Sequence, residues 1–245
     1  MAGLSLHIGI NQVNKQAYYP WQITDLLACQ NDALAMQKLA EKIGYQTSII
    51  SNEQATYSNV SQAIADAATS LKSGDIFFLT YSGHGSQVLD TNADETDGLD
   101  ETWVLYDRFI LDDELYGLWS KFNPGVRILV ISDSCHSGTI TKDITLSVEK
   151  NLLKRKGIEK EEGLICQAHG ILISGCQDRQ VSLDGIDNGL FTSKLLEIWN
   201  NGLFQGSHRQ LRNAIAARLP KLQSPNYFTF GILNHKFSRQ RAFAI

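Results

Sequence analysis

The sequence predicts an α/β domain in three layers, with helices on both faces of a largely parallel sheet. Three observations carry that prediction. Short apolar and β-branched runs alternate with amphipathic helical stretches along the chain, as parallel strands joined by crossover helices do. The run "IFFLTYS" (76–82) begins without polar alternation, as expected of a strand covered on both faces. Hydrophobic residues make up 43% of the 245, ample for one large core or two small ones.

The elements follow in order. "LSLHIGI" (4–10) reads as the first strand. Asn31 and Asp32 then stand where they can cap a helix whose apolar positions Met36, Leu39, Ala40 and Ile43 recur at helical spacing, with Gly44 as its stop. "YQTSII" (45–50) is a short second strand, and Val60, Ile64, Ala67 and Leu71 mark one face of a second helix. The third strand, 76–82, leads into an acidic stretch from Asp90 to Glu114. "ILDDELYGLWSKF" (110–122) reads as helix and "VRILVISD" (126–133) as the fourth strand. "GILISG" (170–175) is the fifth, "GLFTSKLLEIWNNG" (189–202) and "HRQLRNAIAARL" (208–219) are helices, and "YFTFGIL" (227–233) closes an edge of the sheet.

Charge and cysteine usage exclude several classes. A net charge of -4 supplies no global basic field for nucleic acid or an acidic membrane. No apolar run approaches the ~20 residues that span a bilayer. "MAGLSLHIGINQ" shows neither a charged n-region nor a long apolar h-region. Cys29, Cys135, Cys166 and Cys176 form no CxxC pair, against a zinc ribbon or disulfide framework. A reducing, cytoplasmic setting is expected, and Cys166 and Cys176 read as structural.

The chemistry gathers where two strands end. In open parallel sheets, ligands bind outside the carboxyl ends of the strands. "FFLTYSGHGSQ" delivers His84 there, and "ILVISDSCHSG" delivers Cys135 and His136. Glycines on both sides of His84 let the backbone turn sharply and a substrate approach closely. An imidazole can generate a thiolate, which attacks a carbonyl, and can then protonate the leaving amine. Backbone N–H groups of Gly85 and Cys135 are candidates to hold the oxyanion. His136 adjoins Cys135, and neighbours on an extended chain point to opposite sides. His84, from the next strand, is therefore the expected partner. A lone strand-end His or Cys is commonly structural; both at the ends of two strands of one sheet favour catalysis.

"YSGHGSQ" and "DSCHSG" resemble the two catalytic motifs of the metacaspases, caspase-like cysteine peptidases, and the likeness runs through nearly the whole chain. "ACQNDA" (28–33) is similar to that family's N-terminal signature, "DGLDET" (97–102) and "ILDDEL" (110–115) to its acidic segment, and "SGCQDRQVSLD" (174–184) to the start of its small-subunit region. The resemblance, closest to the bacterial kind called orthocaspases, implies the caspase–haemoglobinase fold. That fold is a three-layer sandwich on a mainly parallel six-stranded sheet with an antiparallel strand near its edge. It also implies a single peptidase domain over 1–245, with a large-subunit-like part (1–140), a linker (141–168) and a small-subunit-like part (169–245). The expected partners are protein or peptide substrates, not nucleic acid or membrane; the oligomeric state stays open, with a monomer favoured.

Specificity follows from charge. Asp133 lies two residues before Cys135 and on a strand shares its face, and Asp32 sits at the carboxyl side of the sheet. Two carboxylates favour an arginine or lysine side chain and repel an aspartate. In the family, positions matching Cys29, Asp32, Ser82 and Asp133 line the pocket for a basic residue. A simple helix cap for Asp32 and simple packing for Cys29 stay open. The caspase motif Q-A-C-[RQG]-G is absent. Other readings are a non-catalytic caspase-like interaction domain and a clostripain-like or legumain-like peptidase of the same clan.

Two segments remain. From Asp90 to Glu114, ten carboxylates face one arginine, which suits a solvated loop or a cation site. "DTNADETDGLDE" is no EF-hand, because Glu95 stands where the loop glycine belongs. In calcium-dependent metacaspases, positions matching Asp100, Asp112 and Asp113 bind calcium. The family's fourth ligand falls on Lys142, with Asp143 one place beyond. Catalysis is therefore expected to require no cofactor, with a weak calcium site left open. Between Lys142 and Glu162 stand six Lys/Arg and five Asp/Glu. That stretch is either a surface element or an exposed connection open to cutting, with Lys150, Lys154, Arg155 and Lys156 as self-cleavage positions.

Overall fold

In the computed structural model, residues 1–89, 99–134, 165–175, 187–220 and 223–245 are described. Along the chain come β1 (Gly3–Gly9), α1 (Cys29–Lys42), β2 (Gln46–Ser51), α2 (Tyr57–Ser70) and β3 (Ile76–Ser82). Then follow β4 (Gly85–Leu89), β5 (Leu99–Val104), β6 (Phe109–Leu111), α3 (Asp112–Trp119) and β7 (Arg127–Asp133). The last described elements are β8 (His169–Ser174), α4 (Leu190–Trp199), α5 (His208–Ala216), β9 (Asn226–Gly231) and α6 (His235–Arg239). Six strands form the main sheet in the order β2–β1–β3–β7–β8–β9. Every pairing is parallel except the last, where β9 runs antiparallel to β8 at the edge. This is the predicted sheet, reached by the predicted alternation.

Strand alternation sorts the core into two faces. Phe78, Leu129, Ile131 and Ile173 point to one side and pack with Met36 and Leu39 of α1, Phe191 and Leu195 of α4, Leu211 of α5 and Phe237 of α6. Phe77, Leu79, Ile128 and Val130 point to the other side, against Val60 and Ile64 of α2 and Leu115 and Trp119 of α3. Each such large side chain contributes about 1.5–3 kcal/mol when fully buried. The helices are fixed by local chemistry as well. The Thr56 hydroxyl accepts from the Asn59 N–H ahead of α2, and Ser207 and Gln210 cap each other's backbone at α5. Gly44 ends α1 at φ 96, in the left-handed region that glycine tolerates.

Three expectations need correction. α1 starts at Cys29, with Ala28 as its N-cap and no side-chain cap. Asn11 Oδ1 accepts the Gln30 N–H instead, so Asp32 is not a helix cap and is free for other partners. The segment read as helix from 110 is strand to Leu111, because the Glu114 carboxylate accepts the Leu111 N–H and starts α3 at Asp112. The acidic stretch is not a plain solvated loop, since its described part supplies β5 and β6 of a second, three-stranded antiparallel sheet, β4–β5–β6.

Candidate active site

Strand register builds the site. Gly9, Ser82 and Asp133 stand side by side at the carboxyl ends of β1, β3 and β7. His84 follows Ser82 by two residues, and Cys135 follows Asp133 by two. The chain leading to the imidazole and the chain leading to the thiol therefore leave adjacent, hydrogen-bonded strands. Cys135 and His136 themselves lie outside the described residues; Ser134, hydrogen-bonded to Ser132 at 2.8 Å, is the last before them.

His84 is held on several sides. Its Nε2 lies 2.7 Å from the Thr24 carbonyl oxygen, which can only accept. Nε2 therefore carries a hydrogen, and in the neutral ring Nδ1 keeps its lone pair. The His84 carbonyl oxygen accepts from the Val104 N–H at 3.0 Å and from the Tyr81 hydroxyl at 2.7 Å. Tyr81 stacks flat on Trp103, ring centroids 4.4 Å apart, and complete burial holds its pKa well above the usual phenol value. Gly83 is small for a spatial reason: a Cβ there would stand 2.5 Å from the Tyr81 hydroxyl oxygen. Its backbone is not in the left-handed region, so room, not a sharp turn, is what this glycine supplies. Gly85 opens β4, paired with Trp103.

The carboxylates meet on the α1/α4 side of the sheet. Asp32 is 2% exposed and Asp133 6%. Asp32 Oδ2 accepts from the Ser82 hydroxyl at 2.7 Å, and Oδ1 accepts from Asn188 Nδ2 and the Gly189 N–H, both at 2.9 Å. Asp133 Oδ2 accepts from the Thr192 N–H at 3.1 Å and its hydroxyl at 2.8 Å. Burial, and then the charge of Asp133, raise the Asp32 pKa to about 7 against the opposing donors Ser82, Asn188 and Gly189. Cys29 is buried at the first turn of α1, where β1 passes so close that a Cβ on Gly9 would strike the Cys29 carbonyl oxygen. Of the predicted pocket, Asp32, Ser82 and Asp133 are thus brought together.

The remaining expectations divide. Cys166 is fully buried, bonded to the Trp119 carbonyl, and burial pushes its thiol pKa up, as suits a structural cysteine. Cys176, Lys142, Asp143, Lys150, Lys154, Arg155 and Lys156 lie outside the described residues. Asp112 and Asp113 open α3, while Glu114 pairs with Arg108 at 2.7 Å. The register Thr102↔Leu111 carries Asp100, two residues before Thr102, toward that helix start. The Asp100 side chain lies outside the described residues, among which no group of three or more His, Cys, Asp or Glu side chains could hold a metal ion. No helix among them is long and apolar enough to cross a membrane. The sequence reading missed Thr24, Tyr81, Asn188, Gly189 and Thr192. Of these, only "DNGLFTS" (187–193) carried a visible signal, a turn residue and a glycine just ahead of a helix.

Comparison with known proteins agrees with this geometry. A family model described as caspase domain matches residues 3–232. The chain is 34% identical over 215 residues to "Metacaspase-1" of Schizosaccharomyces pombe, covering 81% of this chain and 48% of that protein. It spans less than half the length of the curated relatives it matches first. Among solved structures, protein GSU0716 from Geobacter sulfurreducens aligns with a TM-score of 0.89 at 41% identity, over 100% of this chain and 99% of that one. Caspase-1 from Spodoptera frugiperda shares the fold alone, with a TM-score of 0.66 at 13% identity over 99% and 89% of the two chains. With its two strand-end motifs, its mainly parallel six-stranded sheet and a family match along nearly its whole length, this chain belongs to the caspase-domain family and is metacaspase-like.

Proposed function

We propose that this protein is a cysteine endopeptidase that cleaves after Arg or Lys through a Cys135–His84 dyad. The observation that carries the proposal is the pairing Ser82↔Asp133, which sets the approaches to His84 and Cys135 side by side. His84 Nδ1 takes the thiol proton, its Nε2–H anchored on Thr24. The Cys135 thiolate attacks the scissile carbonyl, and the N–H groups of Gly85 and Cys135 hold the oxyanion. As the C–N bond breaks, His84 returns the proton to the departing amine and leaves a thioester. Water, deprotonated by His84, then attacks the thioester and releases acid and thiol.

Asp32 and Asp133, with Ser82 and Cys29 beside them, receive the basic side chain before the scissile bond. The same preference makes the basic cluster Lys150, Lys154, Arg155 and Lys156 the site of self-cleavage, within a single domain read as 1–140, linker 141–168 and 169–245. A calcium ion would take oxygens from Asp100, Asp112 and Asp113, and Lys142 would oppose it where a further carboxylate is expected. Catalysis then requires no cofactor, since the dyad and backbone supply each group the reaction uses. A thiol nucleophile suits a reducing, cytoplasmic setting, and we take the chain as a monomer acting on peptides, not on nucleic acid or membrane.

A panel of fluorogenic peptides differing only in the residue before the cut tests the proposal. Hydrolysis after Arg and Lys is expected. Cleavage after Asn alone would indicate a legumain-like enzyme, and no cleavage at all a binding domain.

A further inference from the structure

Asp32, Ser82 and Asp133 come from the chain before residue 141, yet among the described residues most donors to the two carboxylates come from the other end of the chain. Asn188 and Gly189 supply two of the three hydrogen bonds to Asp32, and Thr192 supplies two to Asp133. All of these donors are neutral. Neutral donors of this kind orient a carboxylate without cancelling its charge.

Gly189 holds a particular place between them. A Cβ at this residue would stand 2.7 Å from Asp133 Oδ2 and 3.0 Å from Asp32 Oδ2. The first separation is too short for carbon against oxygen and the second is tight, so a methyl group would press on both carboxylates at once. The backbone does not explain the glycine: at φ -56 and ψ 149, any residue is at ease. A side chain at this residue would occupy the place beside both oxygens, which a cation bridging them would need.

We propose that Asn188, Gly189 and Thr192 complete the basic-residue pocket from the second half of the chain. Asn188 and Thr192 are positioning residues that fix the carboxylates, and Gly189 keeps the space between them clear for the substrate's cation. This rests on the reading that Asp32 and Asp133 bind a basic side chain. It adds that the pocket exists only while the two parts of the chain are docked, so a chain cut in its linker keeps its specificity as long as α4 stays in place.

The test compares wild type with Gly189→Ala, Asn188→Ala and Thr192→Val on matched peptides carrying arginine or its neutral isostere citrulline before the cut. Each variant's fold is checked by circular dichroism and thermal melting. Gly189→Ala is expected to lower the arginine-to-citrulline ratio of kcat/KM by about tenfold or more, mostly through KM for the arginine peptide. Thr192→Val, nearly isosteric, and Asn188→Ala should lower it by about threefold each. If wild type does not favour arginine over citrulline, the basic-pocket reading itself fails. If wild type does and the folded variants keep the wild-type ratio, or lose both substrates equally, these residues are only structural and the inference is overturned. Should Gly189→Ala fail to fold, Thr192→Val decides alone.

Discussion

Nε2 of His84 lies 2.7 Å from the carbonyl oxygen of Thr24. That single contact assigns the ring's tautomer, turns Nδ1 into its basic nitrogen and anchors the imidazole to the segment between β1 and α1. His136 follows directly on Cys135, and neighbours on an extended chain would point to opposite sides, which leaves His84 as the expected partner of the thiol.

The first prediction follows from that assignment. His84→Ala should cost about 100-fold or more in kcat, the usual loss for a positioned acid–base group. His136→Ala should keep most activity. Steady-state assays on an arginine peptide, with melting curves to confirm folding, decide it. The reverse pattern would mean that the imidazoles have been exchanged.

The second concerns the buried carboxylates. Asp133→Asn should weaken hydrolysis after Arg by about tenfold or more, the effect of losing a charge-assisted contact worth ~1.5–3 kcal/mol. Asp32 titrates from above: burial and Asp133 raise its pKa to about 7. A carboxyl raised in this way stabilises the fold fully below its unfolded pKa and loses that contribution as pH rises toward 7. Asn at position 32 can still accept from Asn188 and Gly189 and donate to Ser82, with no charge to set against Asp133. Asp32→Asn should therefore melt no lower than wild type at pH 8 while binding basic substrates more weakly. In wild type, KM for arginine peptides should rise as pH falls from 8 to 6. A marked drop in the melting temperature of Asp32→Asn would show that its charge serves the fold instead.

How much of this could be read beforehand depends on how local each cause is. β1, β3 and β7 are short apolar runs ended by glycine or polar residues, and that pattern survives in the fold with shifts of a residue or so. His84, Asp32 and Asp133 are legible because strand ends and motif spacing are properties of contiguous sequence, whereas Ser82 is named only through the family resemblance. Thr24 was not: its carbonyl belongs to a loop that carries no hydrophobic period, and its contact with His84 spans 60 residues of chain. Asn188 and Thr192 reach Asp32 and Asp133 across 156 and 59 residues of chain, a relation that no local pattern encodes. The acidic stretch misled because carboxylates normally mark solvated loops. Here Leu99–Val104 pairs on both sides as the middle strand of a sheet, and Trp103 and Val104 reach the core.

The third prediction is self-processing. Purified wild type on prolonged incubation should yield fragments cut within 150–156, mapped by mass spectrometry, while Cys135→Ala stays whole. Wild-type chain that remains intact would make the basic cluster an ordinary surface feature.

The fourth concerns calcium. Carboxylates at Asp100, Asp112 and Asp113 fall short of the six to eight oxygens the ion prefers, with waters and carbonyls left to supply the rest. Activity should survive a chelator with at most a few-fold loss, and Asp112→Ala should behave much like wild type. An enzyme inert in chelator and restored by millimolar calcium would show that Lys142 does not oppose the ion.

The most direct test of the whole account is covalent labelling by a peptidyl chloromethyl ketone that ends in arginine. One adduct per chain is expected, mapped to Cys135, formed rapidly in wild type, slowly in His84→Ala and in Asp133→Asn, and not outcompeted by the same ketone ending in aspartate. Labelling of Cys29 in preference to Cys135, or faster labelling by the aspartyl reagent, would contradict it.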